Sequence, residues 1–125
     1  MTAEYYKLME KHPEWEEYLD HWMLEMGIPQ DILGYYYIMA AVFYAAEDAN
    51  LVVRSVTKEL YPKVAKLCDS TPSRVERAIR HAIELGCRYV VSACGNAINP
   101  NSGKPSNAEL IALMANKVRR VFRKR

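Results

Sequence analysis

Residues 31–48, DILGYYYIMAAVFYAAED, are apolar at nearly every position. A surface helix keeps one polar face; this run has none. Such a helix is stable in water only when other elements cover it on all sides, so it belongs at the centre of a small domain. Its tyrosines read as core packing, with a binding surface as the alternative. Asp31 stands where a side-chain cap is expected.

The flanking sequence supplies the cover as further helices. Alternating apolar–polar runs joined by Asn-Gly or Asp-Gly turns do not occur. Tyr5, Leu8 and Met9 mark a short first helix that stops before Pro13. Pro13 suits the first turn of a second helix, with Trp15, Leu19, Trp22, Met23 and Met26 as its apolar stripe and Gly27 as its end. Past Asp48, Ala49 and Asn50, Thr57 can cap TKELYPKVAKLCD, where Pro62 either kinks the helix or marks its true start. Asp69-Ser70-Thr71-Pro72 is a tight connector. Thr71 as cap with Pro72 in the first turn opens the next helix, and a capping box of Ser73 and Glu76 is a competing register. After a shorter segment, CRYVVSACGNAI, and the loop NPNSGKPSN, a last helix starts near Ser106, with Leu110, Ile111, Met114 and Val118 inward. The expected fold is all-α: a compact bundle of about six helices. Residues 1–13 form an N-terminal extension with a short helix, and residues 14–125 form one domain with a basic tail.

Charge is distributed unevenly. Residues 1–31 hold eight acids and two lysines, net −6; residues 32–125 hold fifteen Lys/Arg and seven acids, net +8. A basic body behind an acidic head suits a polyanion partner. The ending KVRRVFRKR carries six basic groups in nine residues and reads either as a solvated helix end or as a phosphate-contacting tail. Three cysteines, Cys68, Cys87 and Cys94, with no C-x-x-C pair, and three scattered histidines exclude a disulfide framework and argue against a zinc site. Neither a bilayer-spanning run nor a signal-peptide core is present, so a soluble cytoplasmic protein is expected. Paired carboxylates, a nucleophile motif and a phosphate loop are all missing, which removes the enzyme classes and leaves no catalytic residue, metal or cofactor to expect.

The segment SRVERAIRHAIE, residues 73–84, gives the basic body a purpose. Val75, Ala78, Ile79, Ala82 and Ile83 fall on one arc of the helical wheel; Arg74, Arg77, Arg80, His81 and Glu84 fall on the other. Two short helices joined by a tight turn, the second presenting bases outward, form a helix-turn-helix. The apolar arc can pack on Leu60, Val64 and Leu67, leaving the basic arc to enter a major groove. Arginine pairs with guanine O6 and N7, and Glu76 can accept from a cytosine amino group. A solvated helix face is the competing explanation.

The run TKELYPKVAKLCDSTPSRVERAIRHAIE, with GIPQDILGYYYI before it and GKPSNAELIALMANKVR after it, resembles the DNA-binding effector domain of the stage 0 sporulation protein A family, the response regulators that start endospore formation. The resemblance covers roughly residues 14 to 120 and implies a recognition helix at about 72–86 reading a TGTCGAA-type box. It further implies base contacts from Arg74, Glu76 and Arg77, and backbone contacts from Ser73, Arg80, His81, Lys104, Ser106 and Asn107. The implied partners are double-stranded DNA, a second copy on tandem sites, and RNA polymerase or another regulator, with nucleoid association when DNA is bound. Residues 1–13 are too few for the family's receiver domain, so an effector domain without one is expected. The stretch from Gly86 to Ser102, implied in dimer contact, is several residues shorter than the family's. A second functional class remains open: an interaction module that binds a full-length family member or another regulator through Tyr5, Tyr6, Trp15, Tyr18 and Trp22 of the acidic N-terminal helices.

Overall fold

The computed structural model describes residues 1–86, 90 and 103–123. Among them the chain forms seven α-helices and no strand: α1 (Ala3–Lys11), α2 (Pro13–Glu25), α3 (Leu33–Glu47), α4 (Asn50–Arg54), α5 (Tyr61–Leu67), α6 (Pro72–Leu85) and α7 (Asn107–Phe122), with a π-helical turn at Val56–Leu60 leading into α5. The segment CRYVVSACGNAI lies outside the described residues except for buried Val90. Of the stretch from Gly86 to Ser102, only Gly86 and Val90 are among the described residues.

Helix α3 is the hub. Residues 37–43 have side chains at most 3 % exposed, so the helix is covered on every side. It packs against α6 and α7 over much of their length, and α1, α2 and α5 complete the shell. Helix α1 contributes Tyr5, Leu8 and Met9 to the same core. That core is what offsets the conformational entropy of ordering the chain.

Gly34 governs the closest helix contact. A Cβ built there would stand 2.5 Å from the Ala78 carbonyl oxygen and 2.7 Å from the Ala82 Cβ. Only hydrogen at position 34, opposite two alanines, lets α6 sit down on α3. Backbone groups line this contact, so nothing nearby can rotate away.

Two helix starts differ from the sequence expectation. Asp31 does not cap α3: the cap position is Ile32, with no side-chain hydrogen bond. Ile28 is buried and Ile32 half-buried, so apolar anchoring of the connection, rather than a cap, sets where the helix begins. Nor is Thr57 a cap; the Ser55 hydroxyl accepts from the Lys58 amide at 2.9 Å. Pro62 explains the intervening geometry. It has no N–H for the Lys58 carbonyl, and its ring crowds that carbonyl. The preceding turn winds wider, with the Tyr61 amide donating to the Val56 carbonyl five residues back, and the regular helix begins at Tyr61.

Gly34→Ala is expected to destabilise the protein by about 1–3 kcal/mol, because overpacking outweighs any gain in helix propensity. Ile79→Ala, at a fully buried site, is expected to cost about 2–5 kcal/mol. Both should lower the urea midpoint with an unchanged slope; a Gly34→Ala protein as stable as the wild type would contradict the close approach.

Candidate nucleic-acid interface

The two helices of the expected helix-turn-helix are α5 and α6. Helix α5 ends through Asp69, which takes a left-handed conformation at φ 53°. The Ser70 amide then reaches back to the Ala65 carbonyl at 2.8 Å, closing the last turn. Helix α6 opens on Thr71, whose hydroxyl accepts from the Arg74 amide at 3.3 Å, with Pro72 in the first turn. Of the two registers open in the sequence, this one forms, and the Ser73–Glu76 box does not.

Helix α6 divides as its periodicity requires. Val75, Ile79, Ala82 and Ile83 are buried; Ser73, Arg74, Arg77, Arg80, His81 and Glu84 are exposed, and Glu76 is half-exposed at the boundary. The outward face is organised by local contacts. Arg80 pairs with Glu76 at 3.4 Å, one turn away. Arg77 Nε donates to the Ser73 carbonyl at 3.4 Å. Lys104 Nζ meets Glu84 at 3.1 Å, and this hydrogen bond holds the Glu84 carboxyl below the usual carboxylate range. Exposed pairs of this kind are screened by solvent and contribute little to stability.

Lys104 is brought to α6 by a turn that the sequence concealed. Gly103 adopts φ 72° with open space around it. Pro105 is buried, and Ser106 starts α7 in a full capping box: its hydroxyl accepts from the Glu109 amide at 3.1 Å, and Glu109 accepts from the Ser106 amide at 3.0 Å. The Asn107 side-chain amide donates to both the Tyr61 hydroxyl at 3.0 Å and the Glu76 carbonyl at 3.1 Å. One side chain thereby joins α5, α6 and α7. Two clefts flank the outward face. One, of about 350 Å³, runs between Thr57 and Tyr61 on one wall and Ser73, Glu76, Arg77 and Arg80 on the other. The second, of about 370 Å³, continues past Arg80 to Lys104 and Asn107. Sequence reading missed Thr57 and Tyr61; Pro62 was the usable signal, since it marks the helix start that places both on this wall.

Several charged and aromatic side chains away from α6 serve packing. Arg119 donates to the Ala45 carbonyl at 2.7 Å, at the end of α3, and also contacts Asn116. Lys117 lies over the Trp22 ring at 4.3 Å, and Phe122 meets Tyr18 edge-on. Arg119 is twelve residues beyond Asn107, or about 18 Å along the helix, well away from the α6 contact. Lys124 and Arg125 lie outside the described residues. Of the five N-terminal aromatics, Tyr5 is buried, Trp15, Tyr18 and Trp22 are half-buried, and Tyr6 is exposed. Cys68 is buried, which pushes its thiol up to about 11; Cys87 and Cys94 lie outside the described residues. No helix among the described residues is long and apolar enough to cross a membrane, and none of them form a His/Cys/Asp/Glu group suited to a metal.

The family model for the sporulation initiation factor Spo0A C terminal matches residues 19–118. The match takes in the helix-turn-helix and Lys104, and leaves α1 and the first half of α2 outside.

Asn107→Ala should cost about 1–3 kcal/mol of stability, because it leaves part-buried Tyr61 and Glu76 groups without their donor. Chemical denaturation measures this; no loss would show that α7 is seated by its apolar face alone.

Proposed function

The chain belongs to the family of sporulation initiation factor Spo0A C-terminal domains, a family of DNA-binding effector domains, and from that premise we propose that it is a sequence-specific transcriptional regulator reading a TGTCGAA-type box. The observation that carries the reading is α6 itself. It buries one face on α3 and α5 while its arginines stand outside. A major groove accepts such a helix.

In this reading Arg74 and Arg77 reach guanine edges from the first turns of α6, the end that enters the groove in helix-turn-helix proteins. Glu76 lies on the same stretch and accepts from a cytosine amino group once Arg80 turns from it to a phosphate. Ser73, His81 and Lys104 fix the register on the backbone. Ser106 and Asn107 act at the backbone through α7, whose N-terminus they form and seat beside α6; a helix N-terminus favours a nearby phosphate. Glu76 adds specificity in this reading because its carboxylate rejects bases that offer no donor.

Fluorescence anisotropy with a box duplex and a scrambled duplex tests the reading. Arg74→Ala and Arg77→Ala should each cost about 1–3 kcal/mol on the box and little on the scrambled duplex; Lys104→Ala should weaken both alike. With about six phosphates neutralised, log affinity should fall against log salt with a slope of about −5. Equal losses on both duplexes for all three variants would remove the base-reading assignment, and a flat salt response would remove DNA binding through this face.

A further inference from the structure

Helix α1 lies outside the family match, yet it touches the helix-turn-helix at a sensitive point. The Thr2 hydroxyl accepts from the Tyr5 amide at 3.1 Å, capping α1. The same hydroxyl donates to the Leu67 carbonyl at 2.7 Å, across 65 residues of sequence. Leu67 is the last residue of α5, where carbonyls have no partner within the helix. The neighbouring carbonyls of Val64 and Ala65 are taken by the Cys68 and Ser70 amides. Four residues after Leu67 comes Thr71, the cap of α6. Tyr5, buried and edge-on to Tyr36 of α3, keeps α1 from sliding. One hydroxyl therefore joins the start of α1 to the end of α5, immediately before the turn that launches the reading helix.

We propose that Thr2 is a positioning residue for α6: by holding the end of α5 it fixes the turn from Cys68 to Thr71, and with it the direction in which the reading helix leaves the bundle. The consequence for DNA rests on the reading of α6 given above. Small changes in that direction displace Arg74 and Arg77 at base edges more than they disturb flexible contacts to phosphates, so box recognition is the sensitive quantity.

The test compares the full chain as wild type, Thr2→Val and Thr2→Ser, well below the melting temperature of each. Thr2→Val keeps the shape and removes the hydroxyl; Thr2→Ser keeps the hydroxyl. Amide hydrogen exchange and anisotropy on the two duplexes are measured together. The expected result is faster exchange at Cys68, Ser70 and Arg74 in Thr2→Val, with preference for the box reduced about five-fold, as loss of one hydrogen bond at a positioned site allows. Scrambled-duplex affinity should hold, and Thr2→Ser should restore both readouts. Faster exchange confined to α1, or an unchanged preference in Thr2→Val where the wild type has one, overturns the proposal. If the wild type itself shows no preference, the base-reading assignment falls, and exchange at the turn alone decides for or against Thr2.

Discussion

The architecture depends on the missing side chain at Gly34. Helix α3 is a fully covered core helix, and α6 must pack on it while turning its other face outward. A methyl group at position 34 would collide with the Ala78 carbonyl oxygen and the Ala82 Cβ. With hydrogen there, α6 beds onto α3 at Ala78 and Ala82, and Val75, Ile79, Ala82 and Ile83 are buried. The exposed arc follows with no further adjustment, because on a rigid helix the direction of one face fixes the other. The direction of the exposed face is in this sense a product of core packing.

Polar contacts then tie the other helices to that pair. Asn107 joins α7 to α5 and α6, Thr2 joins α1 to the end of α5, and Arg119 joins the far end of α7 to the end of α3. Each uses a backbone carbonyl or a part-buried hydroxyl that would otherwise lose its hydrogen bond to water on folding. The basic residues thus divide into two groups. Arg74, Arg77, Arg80 and Lys104 keep their charge at the outward face of α6, where Arg77, Arg80 and Lys104 make exposed contacts. Arg119 and Lys117 are engaged with a helix terminus and an aromatic ring. Composition cannot separate the groups, since every member carries the same charge.

Several elements were readable from residue types because their physics is local. Thr71-Pro72 opens α6 through a hydroxyl that caps the amide three residues on and a fixed φ at the very next residue. The two arcs of SRVERAIRHAIE follow from helical periodicity, and the apolar run in α3 required burial wherever it packed. Errors arose where a local signal competed with a distant one. Asp31 is a good cap by type, yet the burial of Ile28 and Ile32 starts α3 later. Thr57 is as good a cap as Ser55, but the ring of Pro62 widens the turn and moves the start. Part of the aromatic N-terminal stripe packs within the chain: Lys117 lies over Trp22, Phe122 meets Tyr18 and neighbouring His12 stacks on Trp15, while Tyr6 stays exposed.

By itself the sequence determined the all-helical class, the central place of α3, the position of the helix-turn-helix and the two-faced character of α6, because each depends on periodicity and on residues within one or two turns of one another. Only the tertiary structure decided that Gly34 is a contact rather than a weakness, that Asn107 ties α7 to α5 and α6, that Lys117 and Phe122 pack on the aromatics of α2, and that Thr2 reaches the end of α5. The Asn107 and Thr2 hydrogen bonds alone join residues separated by 31 to 65 positions. A cap or a period acts within a few residues; which distant groups meet is set by how the helices share one core.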